Sequence, residues 1–197
     1  MNVLGITGGI GSGKSAVLAF LEMEYGARVY RLDEVAKVLQ ESGSLCFEQI
    51  VAVFGQDILG ADGELDRAGL SEIVFANPDK LIILNEIVHP RVREWVSHSI
   101  TEQREKGTAL YVLEAALLIE ADYGEICDEM WYIYADEVIR TERLKRSRGY
   151  SDEKIAGIMA TQASDAVFRQ ACTVVIDNGR DFEYTKKQIK ERLGERI

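Results

Sequence analysis

The stretch Gly8-Gly9-Ile10-Gly11-Ser12-Gly13-Lys14-Ser15 decides the fold. It has the spacing G-x-x-x-x-G-K-[ST], in which backbone N–H groups cradle phosphates. The glycines let the chain take positive φ and approach an anion without Cβ clashes. Before it runs the apolar segment Val3-Leu4-Gly5-Ile6-Thr7, which reads as a strand. After it, Val17, Leu18, Phe20 and Leu21 lie on one helical face, and Tyr25-Gly26 ends the helix. A helix starting at Lys14 points its partly positive end at the same anion. Lys14 reaches β- and γ-phosphate oxygens, and the Ser15 hydroxyl suits Mg²⁺. A dinucleotide loop is excluded by spacing: the third glycine comes one residue too early, and Lys14 stands in its place. The segment therefore binds a nucleoside triphosphate, with ATP the favoured reading, through Gly8, Gly9, Gly11, Ser12, Gly13, Lys14, Ser15 and Ala16.

Working outward, Ala27 to Arg31 reads as a second strand, so the chain opens as a β-loop-α-β unit. Residues 32–106 lose strand signals and read as helices. Asn77-Pro78-Asp79 supplies a cap, an N1 proline and a first-turn acid. The helix begun there is expected to break at His89-Pro90, with a second amphipathic helix from Arg91 carrying Val92, Trp95, Val96 and Ile100. Strands return at 109–113, 130–134 and 173–176, and helices at 137–148, after Ser151, and at 183–193. The expected fold is α/β: a three-layer, P-loop NTPase-type domain over residues 1–197 with a five-stranded parallel sheet. Residues 32–106 form a helical insertion that binds the acceptor, and 137–165 form a helical lid.

The 197-residue chain carries a formal net charge of −10. That excludes a general nucleic-acid binder, whose affinity depends on basic residues neutralising phosphates. No run of about 18 apolar residues is present, so no membrane span is expected. Cys46, Cys127 and Cys172 are dispersed and odd in number, so neither a disulfide framework nor a structural zinc site is expected, and a cytoplasmic location is.

Against this acidic background, residues 140–148 hold five basic residues and one acid. On a helix, Arg140, Arg143 and Arg146 form a stripe at three-residue spacing that could clamp phosphoryl oxygens, or serve only as a solvated face. Asp33, just past the second strand, either orients and deprotonates an acceptor hydroxyl or caps the helix that follows. Glu114 ends a strand and either reaches Mg²⁺ through water or is simply solvated, and Glu120 has the same two readings. His89 either contacts substrate or marks a helix boundary.

Taken in order, these residues resemble one family. Gly5-Ile6-Thr7 with the glycine loop, Leu65-Asp66-Arg67, Leu70, Val74-Phe75-Ala76-Asn77-Pro78, Leu84-Asn85, His89-Pro90, Leu117-Leu118-Ile119-Glu120, Gln162 and Val175-Ile176-Asp177-Asn178-Gly179 are similar to the blocks of dephospho-CoA kinase. The resemblance implies transfer of the ATP γ-phosphoryl group, with Mg²⁺, to the 3′-hydroxyl of dephospho-CoA. It makes Asp33 the general base and Arg143 a lid arginine, with Lys14 catalytic and Arg146 at the ATP. It gives Asp33, Arg67, His89, Glu114 and Glu120 to the acceptor. Four positions depart from the family pattern: Arg31, Ala116, Ser147 and Ile158. A nucleotide or nucleoside kinase is the nearest alternative; a GTPase switch lacks its Asn-Lys-x-Asp signal here. No oligomeric state is assigned.

Overall fold

The computed structural model describes residues 1–115, 118–119 and 123–194. The chain divides into two compact units, 1–30 with 106–197, and 31–105.

The first unit is built on a sheet. Its strands are β1 (Asn2–Thr7), β2 (Arg28–Arg31), β3 (Leu110–Glu114), β4 (Glu129–Tyr134) and β5 (Val174–Asp177). Among the described residues they form one parallel sheet in the order β2-β3-β1-β4-β5. The register sets Ile6 beside Glu114 on one side and beside Trp131 on the other, while Tyr134 pairs with Asp177. All carboxyl ends therefore lie along one edge, and the loop leaving central β1 sits between the ends of β3 and β4. This is where the strand order switches, the usual ligand crevice of an open parallel sheet.

The strands alternate as a two-faced sheet requires. Leu4 and Ile6, Leu110 and Val112, and Trp131 and Ile133 join Val17, Leu18 and Leu21 of α1 (Lys14–Tyr25) in one core. Ile189 of the C-terminal helix Phe182–Leu193 completes this layer. Phe20 meets Phe182 edge to face at 6.0 Å. On the other face Tyr132 stacks on Phe168 at 4.7 Å, within the short helix Asp165–Ala171. Helices on both faces give the three layers expected.

The second unit is helical: α2 (Leu32–Leu39), α3 (Leu45–Phe54), α4 (Arg67–Ala76) and α5 (Pro78–Glu105). The first three pack on α5. Here the sequence reading is corrected, because α5 is a single 28-residue helix with Pro90 inside it. An internal proline costs a helix about 3 kcal/mol through its lost N–H and ring clash. That penalty is outweighed by a continuous buried stripe at four-residue spacing, Val88, Val92, Val96 and Ile100. Burying four such side chains contributes more, at about 1.5–3 kcal/mol each. Asn77 does cap the start, its Oδ1 accepting from the N–H of Asp79 at 3.0 Å.

The remaining helices follow β4 and β5: α6 (Glu137–Arg148), α7 (Asp152–Ala160), α8 (Asp165–Ala171) and α9 (Phe182–Leu193). Ser151, as expected, caps α7 by accepting from Lys154 N–H.

Candidate active site

Residues 8–15 wrap the mouth of a cleft of about 450 Å³. Its walls include Gly9, Gly11, Gly13, Lys14, Ser15 and Ala16 from the loop and α1, and Glu114 from the end of β3. From α6 come Arg143, Leu144, Ser147 and Arg148. Gly13 precedes α1 at φ 90°, ψ 23°. That left-handed conformation disfavours a side chain, and a Cβ there would collide with the Asn178 amide. Lys14 Nζ donates to the Gly8 carbonyl at 2.7 Å and lies 3.7 Å from a Glu114 oxygen. A phosphate oxygen in the loop would compete for this ammonium, which already sits at the anion-binding end of α1.

Two arginines of α6 grip the loop backbone. Arg143 donates to the carbonyls of Ser12 at 3.3 Å and Asn178 at 2.8 Å. Arg140 donates through Nε to the Ile10 carbonyl at 2.9 Å. Its guanidinium lies under Gly9 so closely that a Cβ there would sit 2.6–2.9 Å from it. Gln162 accepts from Ile10 N–H at 2.9 Å.

On the other flank, buried Asn178 donates to the Ser12 carbonyl at 2.7 Å and accepts from the Thr185 hydroxyl at 2.8 Å. Loop shape is thus fixed by α6, by the segment after α7 and by the turn after β5. The arrangement sets an ammonium, a helix start and guanidinium groups around one cleft, the kind of environment that stabilises phosphate charge.

Comparison with known proteins gives the family. A family profile described as dephospho-CoA kinase matches residues 2–183. A dephospho-CoA kinase from Carboxydothermus hydrogenoformans is 38% identical, covering 95% of this chain and 90% of that protein. This chain belongs to the dephospho-CoA kinase family. The crystal structure of a Thermus thermophilus protein is 30% identical with a TM-score of 0.84, covering 100% of this chain and 98% of that one. The dephospho-CoA kinase from Campylobacter jejuni, at 22% identity, shares the fold with a TM-score of 0.70 over 97% of this chain and 96% of that one. Membership makes the chain an ATP-dependent kinase acting on an alcohol group.

The kinase brings together Gly8, Gly9, Gly11, Ser12, Gly13, Lys14, Ser15, Ala16, Glu114 and Arg143 in its first unit. Arg146 and Arg148 are both exposed, and of the two it is Arg148 that stands on the cleft wall, beside Ser147. Steps of three residues turn 300° on a helix, so the stripe counted from Arg140 drifts about 60° per step and has left the face by Arg146. Two further polar residues, Asn178 and Gln162, hold the loop without having been read as site residues. Both lie far from the loop in sequence, and only their place in the ordered family blocks marked them.

In the second unit, Asp33 is exposed in the first turn of α2. The capping alternative fails, since Arg31 occupies the N-cap with no side-chain bond. Arg67 donates to the Lys37 carbonyl at 2.8 Å and to Gln40 at 3.2 Å, tying α4 to the end of α2. His89 lies within α5, where burial lowers its pKa. Glu120 lies outside the described residues, as does Ala116. The cysteines are unpaired, and burial raises all three thiols, Cys127 to about 12. None is a thiolate nucleophile near neutral pH.

Proposed function

We propose that the cleft at residues 8–15 holds Mg²⁺-ATP and that Asp33 activates the acceptor. The reaction is that of a dephospho-CoA kinase: the 3′-hydroxyl oxygen of dephospho-CoA attacks the γ-phosphorus of ATP. The bond from γ-phosphorus to the β–γ bridging oxygen breaks, its electron pair leaving with ADP, and the hydroxyl proton passes to the Asp33 carboxylate. The observation carrying the reading is the convergence of Lys14, the start of α1 and Arg143 on one cleft.

Lys14 neutralises charge on the β- and γ-phosphates. Arg143 spends one N–H on each of two carbonyls, and a guanidinium has five, so donors remain for the transferring phosphoryl oxygens. The lid helices exclude water, which otherwise wastes ATP by hydrolysis.

The residues present suit Mg²⁺. Ser15 and Glu114 offer oxygen donors on the cleft wall, and among the described residues no cluster of three His, Cys, Asp or Glu forms a cage. Mg²⁺ characteristically keeps waters and binds through few protein oxygens plus substrate phosphates. When bound, the ion neutralises charge developing across the β- and γ-phosphates. Ser15 and Glu114 are the residues that would hold it, Ser15 through its hydroxyl and Glu114 through its carboxylate. Among the described residues no helix is long and apolar enough to cross a membrane. The substrates are small molecules, and we place the enzyme in the cytoplasm.

The test offers purified protein Mg²⁺-ATP with dephospho-CoA, AMP or a nucleoside in separate assays. ADP release that depends on dephospho-CoA is expected; equal release without an acceptor, or preference for AMP, overturns the reading. Asp33→Asn should keep ATP affinity within about two-fold while kcat falls at least about 100-fold, the loss expected for a general base.

A further inference from the structure

We propose that Gln162 is a positioning residue for the phosphate-binding loop, acting with Arg140 as one unit on Ile10. The inference rests on the reading that residues 8–15 hold ATP. Gln162 lies just beyond α7, 152 residues along the chain from Ile10. Its Oε1 accepts from Ile10 N–H at 2.9 Å and from Arg140 Nη2 at 3.4 Å. Arg140 Nε in turn donates to the Ile10 carbonyl at 2.9 Å. The contacts close a ring: Ile10 N–H to Gln162, Arg140 to Gln162, and Arg140 back to Ile10 C=O.

Chemistry fixes the amide orientation in this ring. Both partners of Oε1 are donors, so the oxygen, and not the NH₂, must face them. Both backbone polar groups of Ile10 are therefore occupied. Ser12 N–H is also used, donating to the Gly9 carbonyl at 3.2 Å. Among the described contacts, none uses the loop N–H groups of Gly11, Gly13 or Ser15. By engaging both backbone groups of Ile10, Gln162 and Arg140 fix the peptide planes on either side of it, and with them the direction of the neighbouring Gly11 amide. A misplaced loop amide is costly, because transition-state stabilisation depends on donors aimed in advance.

The ring makes a prediction specific to ATP. Gln162→Leu keeps side-chain bulk but removes the acceptor, leaving a loop N–H and a guanidinium N–H without it. ATP KM should rise about ten-fold or more, as expected for losing a hydrogen bond to a charged group. The KM for dephospho-CoA should stay within about two-fold. Gln162→Glu restores an acceptor for both donors and should bring ATP KM back to within about three-fold of wild type. Arg140→Lys removes the Nε bond while keeping charge. Combined with Gln162→Leu it should add little to the ATP effect, since one broken ring cannot be broken twice.

The measurements are steady-state kinetics with both substrates varied, a thermal melt of each variant, and hydrogen exchange at the Ile10 amide. Ile10 should exchange faster in Gln162→Leu and be protected again in Gln162→Glu. The proposal is overturned if ATP KM is unchanged in Gln162→Leu, or if dephospho-CoA KM rises equally. It is overturned too if Gln162→Glu is as weak as Gln162→Leu, or if the double variant is fully additive. Should a variant melt before assay temperature, Ile10 exchange measured below its melting point decides the matter. Lys14→Ala provides the separate control. If it leaves ATP KM untouched, residues 8–15 do not hold ATP, and that earlier reading fails regardless of Gln162.

Discussion

Asn178 and Ser12 are 166 residues apart in sequence, yet the Asn178 amide donates to the Ser12 carbonyl at 2.7 Å within the protein interior. Thr185 completes the link by donating to the Asn178 Oδ1, and Arg143 donates to the Asn178 carbonyl. The turn after β5 therefore holds the phosphate loop with a side chain whose donor and acceptor are both used.

The first prediction concerns that amide. Asn178→Asp replaces its NH₂ by an oxygen and sets an acceptor against the Ser12 carbonyl. Asn178→Ala removes the 2.7 Å bond to that carbonyl and the 2.8 Å bond from Thr185, leaving only the 3.3 Å contacts from Arg143 and to the Asp177 carbonyl. Each short hydrogen bond lost costs about 0.5–1.5 kcal/mol, and more where an acceptor is turned against an acceptor. Both variants should lower the melting temperature by several degrees and raise ATP KM. Calorimetry with ATP titration checks this, and a variant as stable as wild type with unchanged ATP affinity would show the link to be idle.

Two loop glycines should respond differently to alanine. At Gly13 the new Cβ meets both a left-handed backbone and the Asn178 amide, so neither strain nor collision can be relieved locally. Gly13→Ala should destabilise by more than about 1 kcal/mol and abolish ATP binding. At Gly9 the obstacle is the Arg140 guanidinium, the far end of a flexible side chain. Gly9→Ala should melt near wild type while displacing Arg140 from Ile10 and weakening ATP binding several-fold. Paired melting curves and ATP titrations separate the outcomes, and equal destabilisation by both would contradict the argument.

Arg148 and Arg146 provide a third test. Arg148 is on the cleft wall, and Arg146 is not. Arg148→Ala should raise ATP KM several-fold, whereas Arg146→Ala should change it by less than about two-fold, the usual size of an exposed charge effect. Steady-state kinetics at two salt concentrations checks the ranking, and the reverse order would return Arg146 to the site.

Much of this site could be read before any coordinates. The glycine loop, the strand preceding it and the helix after it are encoded locally, by apolar period and by glycine at positions needing positive φ. Asn77 and Ser151 likewise carried local capping signals that the backbone obeyed. The interior of α5 did not. Pro90 is a local helix breaker, and only the packing of Val88, Val92 and Val96 on the three neighbouring helices overrides it. Asn178 and Gln162 were illegible for another reason: a polar residue after a strand or helix looks like any turn residue until the chain brings Ser12 or Ile10 beside it. Along the basic stripe, three-residue spacing turns off one helical face within two steps, which is why Arg148 and not Arg146 stands on the cleft wall.

The last prediction uses His89, whose pKa burial holds below the ordinary value of about 6.5. In the unfolded chain the imidazole takes up its proton near that ordinary value, while the folded chain resists it to lower pH. Between the two values the unfolded state binds more protons, so stability rises with pH through that window. The contribution is fully present above about pH 6.5 and is lost as pH falls through the lower folded value. His89→Gln, which has nothing to titrate there, should flatten the slope of melting temperature against pH below about 6.5. If His89 has only this packing role in α5, kcat and both KM values at pH 8 should stay near wild type. A large rise in dephospho-CoA KM alone would instead return His89 to the acceptor site, and an unchanged melting slope would remove the burial argument.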